Sequence, residues 1–407
     1  MRNFLKKLGP GLITGASDDD PSGITTYSQA GAQFGFGTLW TALITFPMMA
    51  AIQEMCARIG AVTSKGLTGT LKSHYPKWIL YMMLLASFPA IILNIGADIA
   101  GMGAVSSMII PSVPSYVFTV GFTALIIVSM IFFSYQQIAG ILKYTCMVLL
   151  VYLIVPFLTK TDWPKVLKAV FIPHISFSKD YITTLVAILG TTISPYLFFW
   201  QATMEAEDHK NLVVDKKVLT DITEDVTGGM FASNLVMMFI ILTCGSVLFN
   251  NGKHQIDTVQ QAANALRPIA GEFSYLLFAI GVIGTGLLAI PVLCGALSYM
   301  VAETFEWEEG LDKKFYQAQP FYGIIILSML IALATNYIGI SPVKSLFYTA
   351  VLYGLTAPVM ILVIMHISNN KTVMGEYVNK PWSNILGWIT FIFMTAAAGC
   401  LIYFQIV

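Results

Sequence analysis

The chain has 407 residues, of which 56% are hydrophobic and only 11% charged, where a soluble domain carries about 25%. Its 22 basic and 22 acidic residues leave a formal net charge of zero, which offers no basic surface to a nucleic acid. Apolar blocks near the roughly 20 residues needed to cross a bilayer recur along the whole length. The composition therefore describes an all-α, polytopic integral membrane protein.

The opening MRNFLKKLGPG is basic, but Asp18, Asp19 and Asp20 interrupt the apolar core of a cleavable signal, so it reads as a short cytosolic tail. Span 1 is expected at about 12–33 and span 2 at about 38–58, joined by a Gly-rich turn. The basic segment 59–77 leads to a long span 3 at about 78–108. PSVPS turns the chain into span 4 at about 116–137, and span 5 follows at about 141–158. The polar loop 159–180 precedes span 6 at about 181–204, and the hydrophilic stretch 205–225 precedes span 7 at about 228–248. An exposed loop at 249–271, with a short helix near DTVQQAANAL, leads to span 8 at about 272–300. The acidic linker 303–315 comes next, then spans 9, 10 and 11 at about 320–338, 343–365 and 385–406.

The lysines and arginines set the orientation. With the N-terminus in the cytoplasm, fifteen of the 22 fall on that side and six outside, the remaining one being Lys344 at the head of span 10. That predicts N-terminus in and, with eleven spans, C-terminus out, in a plasma membrane of the bacterial inner-membrane kind. Five spans are followed by five more, and each group opens with a span broken by proline. An odd number per group makes the second enter from the opposite face, as in an inverted repeat with two discontinuous helices meeting at the midplane. The repeats are expected at 1–158 and 181–365, with 159–180 as an extracellular linker and 366–407 carrying the eleventh span.

The stretch GLITGASDDDPSGITTYSQAGAQFGF at 11–36 puts three carboxylates at membrane depth, followed at once by Pro21, Ser22 and Gly23. Buried intramembrane charge is expensive and usually functional, and freed backbone carbonyls are tolerated there only beside protein or a wet cavity. The combination implies a cation site. Asp20 would supply charge, and carbonyls released around Pro21 and Gly23 would supply neutral oxygens, the ligands of a hard divalent cation. In a regular helix Asp18 and Asp19 would project away from Asp20 and line an approach route or receive hydrogen bonds rather than coordinate the same ion. The competing reading makes all three a surface helix cap, but the preceding segment is then too short and Gly-rich to cross.

In span 6, Thr191, Thr192 and Ser194 place hydroxyls and accessible carbonyls around Pro195, although such side chains often bond only to their own helix. Met204 is ten residues beyond Ser194 and reads as a gap filler, so no sulfur donor stands at either break. Oxygen ligands alone suit magnesium, manganese or calcium. Asp98 in span 3, one turn after Asn94, is a further intramembrane acid, with a cavity role or a structural hydrogen bond both open. Tyr27, Gln29, Tyr196 and Gln201 are polar and near the breaks. Glu54, four residues before Arg58, reads as an ion-pair partner, and Glu272 as interfacial. The five cysteines are scattered in apolar segments and the five histidines make no metal spacing. There is no catalytic triad, phosphate-binding glycine loop or calcium-loop pattern in 303–314, so neither an enzyme nor a bound cofactor is expected.

From Gly9-Pro10-Gly11 through Trp40, and again at Gly190–Gln201, the chain resembles the Nramp family of divalent metal transporters, and the resemblance extends across essentially all eleven spans. The family's Asp-Pro-Gly-Asn is matched by Asp20, Pro21, Ser22 and Gly23, and its Ala-x-x-Met-Pro-His by Thr191 through Tyr196. The resemblance implies the LeuT-like fold with a 5+5 inverted repeat, discontinuous spans 1 and 6, and an eleventh span. It makes Asp20 the coordinating aspartate, puts Gly23 where the family has a coordinating asparagine, and places Thr191 and Ser194 at the carbonyl and sulfur ligands. Tyr196 and Gln201 stand at two histidines linked to proton handling. Asp98 matches an aspartate on the proton route, with Gly101 in place of a glutamate. These departures resemble the Nramp-related magnesium transporters, with a wider cavity for a partly hydrated ion. The expectation is influx of magnesium and manganese by alternating access, without obligatory protons, a cofactor, or any partner beyond the ion and lipid. The alternatives are a proton-coupled manganese or iron symporter, a sodium-coupled amino-acid transporter on the same scaffold, and a channel or purely structural membrane protein.

Overall fold

The computed structural model describes residues 9–133, 137, 140, 147–159, 161–209 and 214–406, and their regular structure is helical throughout. Helices of eight or more residues are numbered here in chain order. Expected span 1 is two helices, α1 (Pro10–Asp18) and α2 (Pro21–Phe34). α3 (Trp40–Thr63) is span 2, α4 (Leu67–His74) lies in the basic linker, α5 (Lys77–Ile109) is span 3 and α6 (Ser115–Phe132) is span 4. Of expected span 5, residues 141–146 lie outside the described residues; the remainder is a 3₁₀ turn, Met147–Leu153, and a short helix, Val155–Leu158. The loop before span 6 carries α7 (Trp163–Phe171). Span 6 is again two helices, α8 (Lys179–Thr192) and α9 (Pro195–Asp208).

Span 7, α10 (Lys216–Val247), begins about three turns earlier than its hydropathy indicates. Asp215 caps it through Val218 N, and about three turns in it packs on α1, with Asp225 and Val226 against Gly9 and Gly11. The 249–271 loop contains Val259–Ala263, closed by a Thr258/Gln261 capping box. α11 (Ser274–Phe305), α12 (Gln319–Thr335), α13 (Pro342–Asn369) and α14 (Pro381–Ile406) complete spans 8 to 11. Among the described residues nine segments are long and apolar enough to cross a membrane, apart from the broken first span and the partly described fifth.

Burial sorts the helices. The apolar window of α8–α9 is 94% buried, whereas that of α6 is only 22% buried and presents Phe132 and Leu125 outward, as a lipid-facing helix does. α10 lies along both halves of span 1, α3 packs on α9 and α10, and α5 packs on α11, α12 and α13. α13 touches α2, α5 and α8, so it bridges the two groups. Glu54 and Arg58 form the expected ion pair at 3.0 Å, and the Arg58 guanidinium also donates to Asn379 Oδ1 and the Tyr377 carbonyl, tying α3 to the segment before α14.

Without a strong hydrophobic drive between helices in lipid, close packing of small residues holds α1 to α10. A Cβ on Gly229 would lie 2.2 Å from the Gly11 carbonyl oxygen, and one on Gly15 would lie 2.3 Å from that of Gly229. Both obstacles are backbone and cannot swing aside. Gly229→Val is therefore expected to cost at least about 1–3 kcal/mol and to lower the thermal unfolding midpoint of detergent-solubilised protein. Gly228→Ala, inside the same helix, where the added atom meets nothing within 4 Å, should not lower that midpoint.

Candidate cation site

The two helix breaks have one local cause. A residue before proline is pushed out of the helical region, and proline itself suits the first position of a new helix. Asp20 (φ −67°, ψ 172°) precedes Pro21, Ser194 (φ −75°, ψ 122°) precedes Pro195, and each is the N-cap of the restarted helix. Both interruptions are enclosed: Asp18, Asp19, Asp20, Thr191, Thr192 and Ser194 are all buried. At such a break the C-terminal carbonyls of one helix and the N-terminal amides of the next lose their intrahelical partners and meet in the interior.

Asp20 is fixed from two sides. Its Oδ1 accepts from Gly23 N (2.7 Å), closing the first turn of α2, and its Oδ2 accepts from Asn94 Nδ2 of α5 (2.9 Å). The other face of the Asn94 amide points at α13, where Thr349 Oγ1 donates to Asn94 Oδ1 (3.0 Å). Ser22 Oγ donates to the Leu346 carbonyl of α13 (2.7 Å). One connected network thus ties the first break to α5 and α13. Asp98 belongs to it more loosely, its Oδ2 lying 3.5 Å from Asn94 Nδ2.

Asp18 and Asp19 do not follow a regular helix, because α1 ends at Asp18. Asp18 Oδ2 accepts from Ser233 Oγ of α10 (2.7 Å), and Asp19 is buried beside it. Asp18 Oδ1, Asp19 Oδ1 and Asp98 Oδ1 are buried without a hydrogen-bond partner among the described residues. None of the four acids forms an ion pair with a described Lys, Arg or His. Nor do three or more His, Cys, Asp or Glu side chains converge as a metal cluster among those residues, so a cation here would rely also on carbonyls, hydroxyls and water.

The second break approaches the first at Gly23. A Cβ there would stand 3.2 Å from the Asp18 carbonyl oxygen and 3.3 Å from Thr191 Oγ1, so glycine leaves room for both oxygens. The Ser194 hydroxyl turns back to the Thr191 carbonyl (2.6 Å), while Thr192 Oγ1 donates to Ile188 O and lies 3.5 Å from Tyr27 OH. Tyr196 OH donates to the Ser17 carbonyl (2.9 Å) and occupies one freed acceptor of α1. Gln201 is farther along α9, bonded to Thr14 and Glu205, and Gln29 caps Ile256 N in the loop before α11. Gly101 faces Leu346, which a larger side chain would displace. The structure therefore brings Asp20, Gly23, Thr191 and the Asp18 carbonyl together, keeps Asp98 one side chain away, and sets Gln201 apart. Thr349, Ser233 and Thr14 carry no intramembrane charge and do not adjoin a proline, so nothing in their sequence setting marks them.

Two broken helices enclosed by a bundle and a bridging helix define a membrane carrier of the LeuT-like, inverted-repeat architecture. The chain belongs to the Nramp family: the profile described as natural resistance-associated macrophage protein-like matches residues 11–404. It is similar to the divalent metal cation transporter MntH of Caldanaerobacter subterraneus subsp. tengcongensis, 25% identical over 99% of this chain and 94% of the relative. MntH of Bacillus subtilis is 22% identical over 97% and 91%. Among solved structures, the manganese transporter of Eremococcus coleocola superposes with a TM-score of 0.78 at 15% identity, over 98% of this chain and 86% of that one. Mhp1, a nucleobase-cation-symport-1 family transporter, gives 0.55 at 12%, over 97% and 92%.

The Asp18–Ser233 bond supports a buried acid. Ser233→Ala should destabilise the detergent-solubilised protein by about 1–3 kcal/mol, read as a lower unfolding midpoint. Adding Asp18→Asn should recover part of the loss, because a neutral amide is cheaper to bury unpaired.

Proposed function

We propose that the protein carries divalent metal ions across the membrane, magnesium and manganese foremost, by alternating access and without obligatory proton coupling. The observation that carries this reading is the set of four buried carboxylates, Asp18, Asp19, Asp20 and Asp98, without a cationic side chain to neutralise them. Buried charge of one sign needs a counter-charge, and a transported divalent cation supplies it. Asp20 would hold the ion, with Thr191, the backbone at Gly23 and the Asp18 carbonyl as neutral oxygen donors. Ser194 stands beside them, contributing through the carbonyl it bonds rather than as a direct ligand.

An all-oxygen set favours hard cations, and magnesium, which dehydrates reluctantly, would keep part of its water shell. The relatives, a divalent metal cation transporter and a manganese transporter, support the class of cargo. The proposed orientation is N-terminus cytoplasmic and C-terminus outside in a bacterial inner membrane. Spans 1, 2, 6 and 7, drawn from both repeats (1–158 and 181–365), then rock against the rest to open the cytoplasmic side, and 366–407 adds the last span. A negative-inside potential drives such entry by roughly 2.3 kcal/mol per charge per 100 mV. An organic carboxylate, as an amino-acid carrier requires, would need free amides at the start of α2, and Asp20 already occupies Gly23 N. Proton-coupled manganese or iron uptake is the second reading, favoured by Asp98 sitting one side chain from Asp20.

In sealed proteoliposomes with a negative-inside potential, uptake of both Mg²⁺ and Mn²⁺ is expected without lumenal acidification, and Asp20→Ala should abolish it. Manganese uptake that acidifies the lumen and ignores excess magnesium would establish the proton-coupled reading instead. Thr191→Val should raise the half-saturating Mn²⁺ concentration roughly three- to tenfold, as for the loss of about 1 kcal/mol of polar contact.

A further inference from the structure

One buried acid lies outside this site. Glu205 is only 1% exposed, one turn before the end of α9. Its Oε1 accepts from Gln201 Nε2 (2.9 Å), and its Oε2 lies 3.3 Å from His209 Nδ1. A carboxylate only accepts, so the Gln201 nitrogen must face Glu205 and its oxygen must face α1. That oxygen lies 2.5 Å from the Thr14 hydroxyl, whose hydrogen is shared between Gln201 and the Pro10 carbonyl (2.8 Å). Farther along the same helix pair, Tyr196 bonds the Ser17 carbonyl, making a second fastening between α9 and α1. Glu205 therefore fixes the orientation of the amide that holds α1 in place.

α1 and α9 are the halves of the two broken helices that lie toward the N-terminal face. An ion leaving Asp20 on that side must part them. We infer that Glu205 and His209 form a charge-sensitive latch on this gate, Glu205 positioning Gln201 and His209 setting how readily α1 leaves α9. The inference rests on the transport reading and orientation proposed above.

The surroundings make His209 the natural counter-charge. Among the described residues the ion-pair partner of Glu205 is His209. The other groups facing the pair among the described residues are acids: Asp208 on the same helix and Asp225 of α10, which caps α1 through Gly11 N (2.7 Å). Asp312, beyond α11, faces Asp208. The 3.3 Å contact with the Glu205 carboxylate, together with a hydrogen bond between His209 Nδ1 and the Glu205 backbone carbonyl (3.1 Å), raises the His209 pKa above its ordinary value, with the Glu205 and Asp208 charges adding to it. Opening would hydrate Glu205, loosen the pair and let His209 fall back. The latched state thus binds the proton more tightly. Its extra stability is fully present below the ordinary histidine value and is lost as pH rises through the raised one. Acid on the cytoplasmic face should slow release, and alkali should speed it.

The test uses the full chain in proteoliposomes, measuring Mn²⁺ flux while pH is changed only on the His209 face. It is paired with amide exchange of residues 10–18 in metal-free protein, corrected for intrinsic rates. Wild type should gain roughly three- to tenfold in flux between about pH 6 and pH 8. His209→Gln and Glu205→Gln should be fast throughout, and His209→Lys, whose charge stays near Glu205 at the same spacing, slow throughout. A merely structural role would not send the Lys and Gln variants in opposite directions. A wild-type pH profile surviving in His209→Gln, or Lys and Gln variants behaving alike, would overturn the latch. Absence of flux in wild type would contradict the transport reading alone. The latch would then be judged by α1 exchange, and identical exchange in wild type and both His209 variants would overturn it.

Discussion

The structure depends on two prolines that stop two buried helices in the same layer of the molecule. Each break strands carbonyls and amides where no bulk water can satisfy them. Much of the surrounding chemistry answers that cost. Asp20 takes up an amide at the head of α2, Tyr196 a carbonyl at the foot of α1, and Ser194 a carbonyl at the foot of α8. α10 comes against α1 at backbone distance because Gly11, Gly15 and Gly229 allow it. One carboxylate oxygen each of Asp18, Asp19 and Asp98 stays buried near the breaks without a hydrogen-bond partner among the described residues, and these acids without a counter-charge are the basis of the functional reading.

The same network explains how a small ion would move large helices. Asp20 is held by Asn94 from α5, Asn94 by Thr349 from α13, and Ser22 by the Leu346 carbonyl of α13. An ion bound at Asp20, as proposed, would share or replace the Asn94 bond, and its arrival would be felt on α5 and α13. On the other side, α1 is fastened to α9 by Thr14–Gln201 and Ser17–Tyr196. The site thus stands between two sets of hydrogen bonds, one to the helices that flank it and one to the gate beneath it.

Much of this was legible from residue types. Three aspartates before Pro21 in an apolar stretch, and small polar residues before Pro195, located both breaks and Asp20 because charge and proline have strong local consequences. The long span 3 and the Glu54–Arg58 pair followed from length and from spacing. Other features were hidden for physical reasons. α10 begins in a polar stretch that hydropathy cannot recognise. The projection of Asp18 and Asp19 does not follow helical geometry, because the first helix ends at Asp18. Thr349 and Ser233 are ordinary hydroxyls in distant spans, and only the packing of helices brings them to acids. Glu205 read as the start of a hydrophilic segment, although it lies buried at the end of α9.

The most direct test of the central claim is anomalous diffraction from crystals of the full-length protein soaked in Mn²⁺. The account predicts one principal peak between Asp20 and Thr191, with oxygen ligands, that disappears in Asp20→Ala. A principal peak elsewhere, for instance among Glu207, Glu303 and Glu309 near the α9 and α11 ends, with density at Asp20 unchanged, would contradict it.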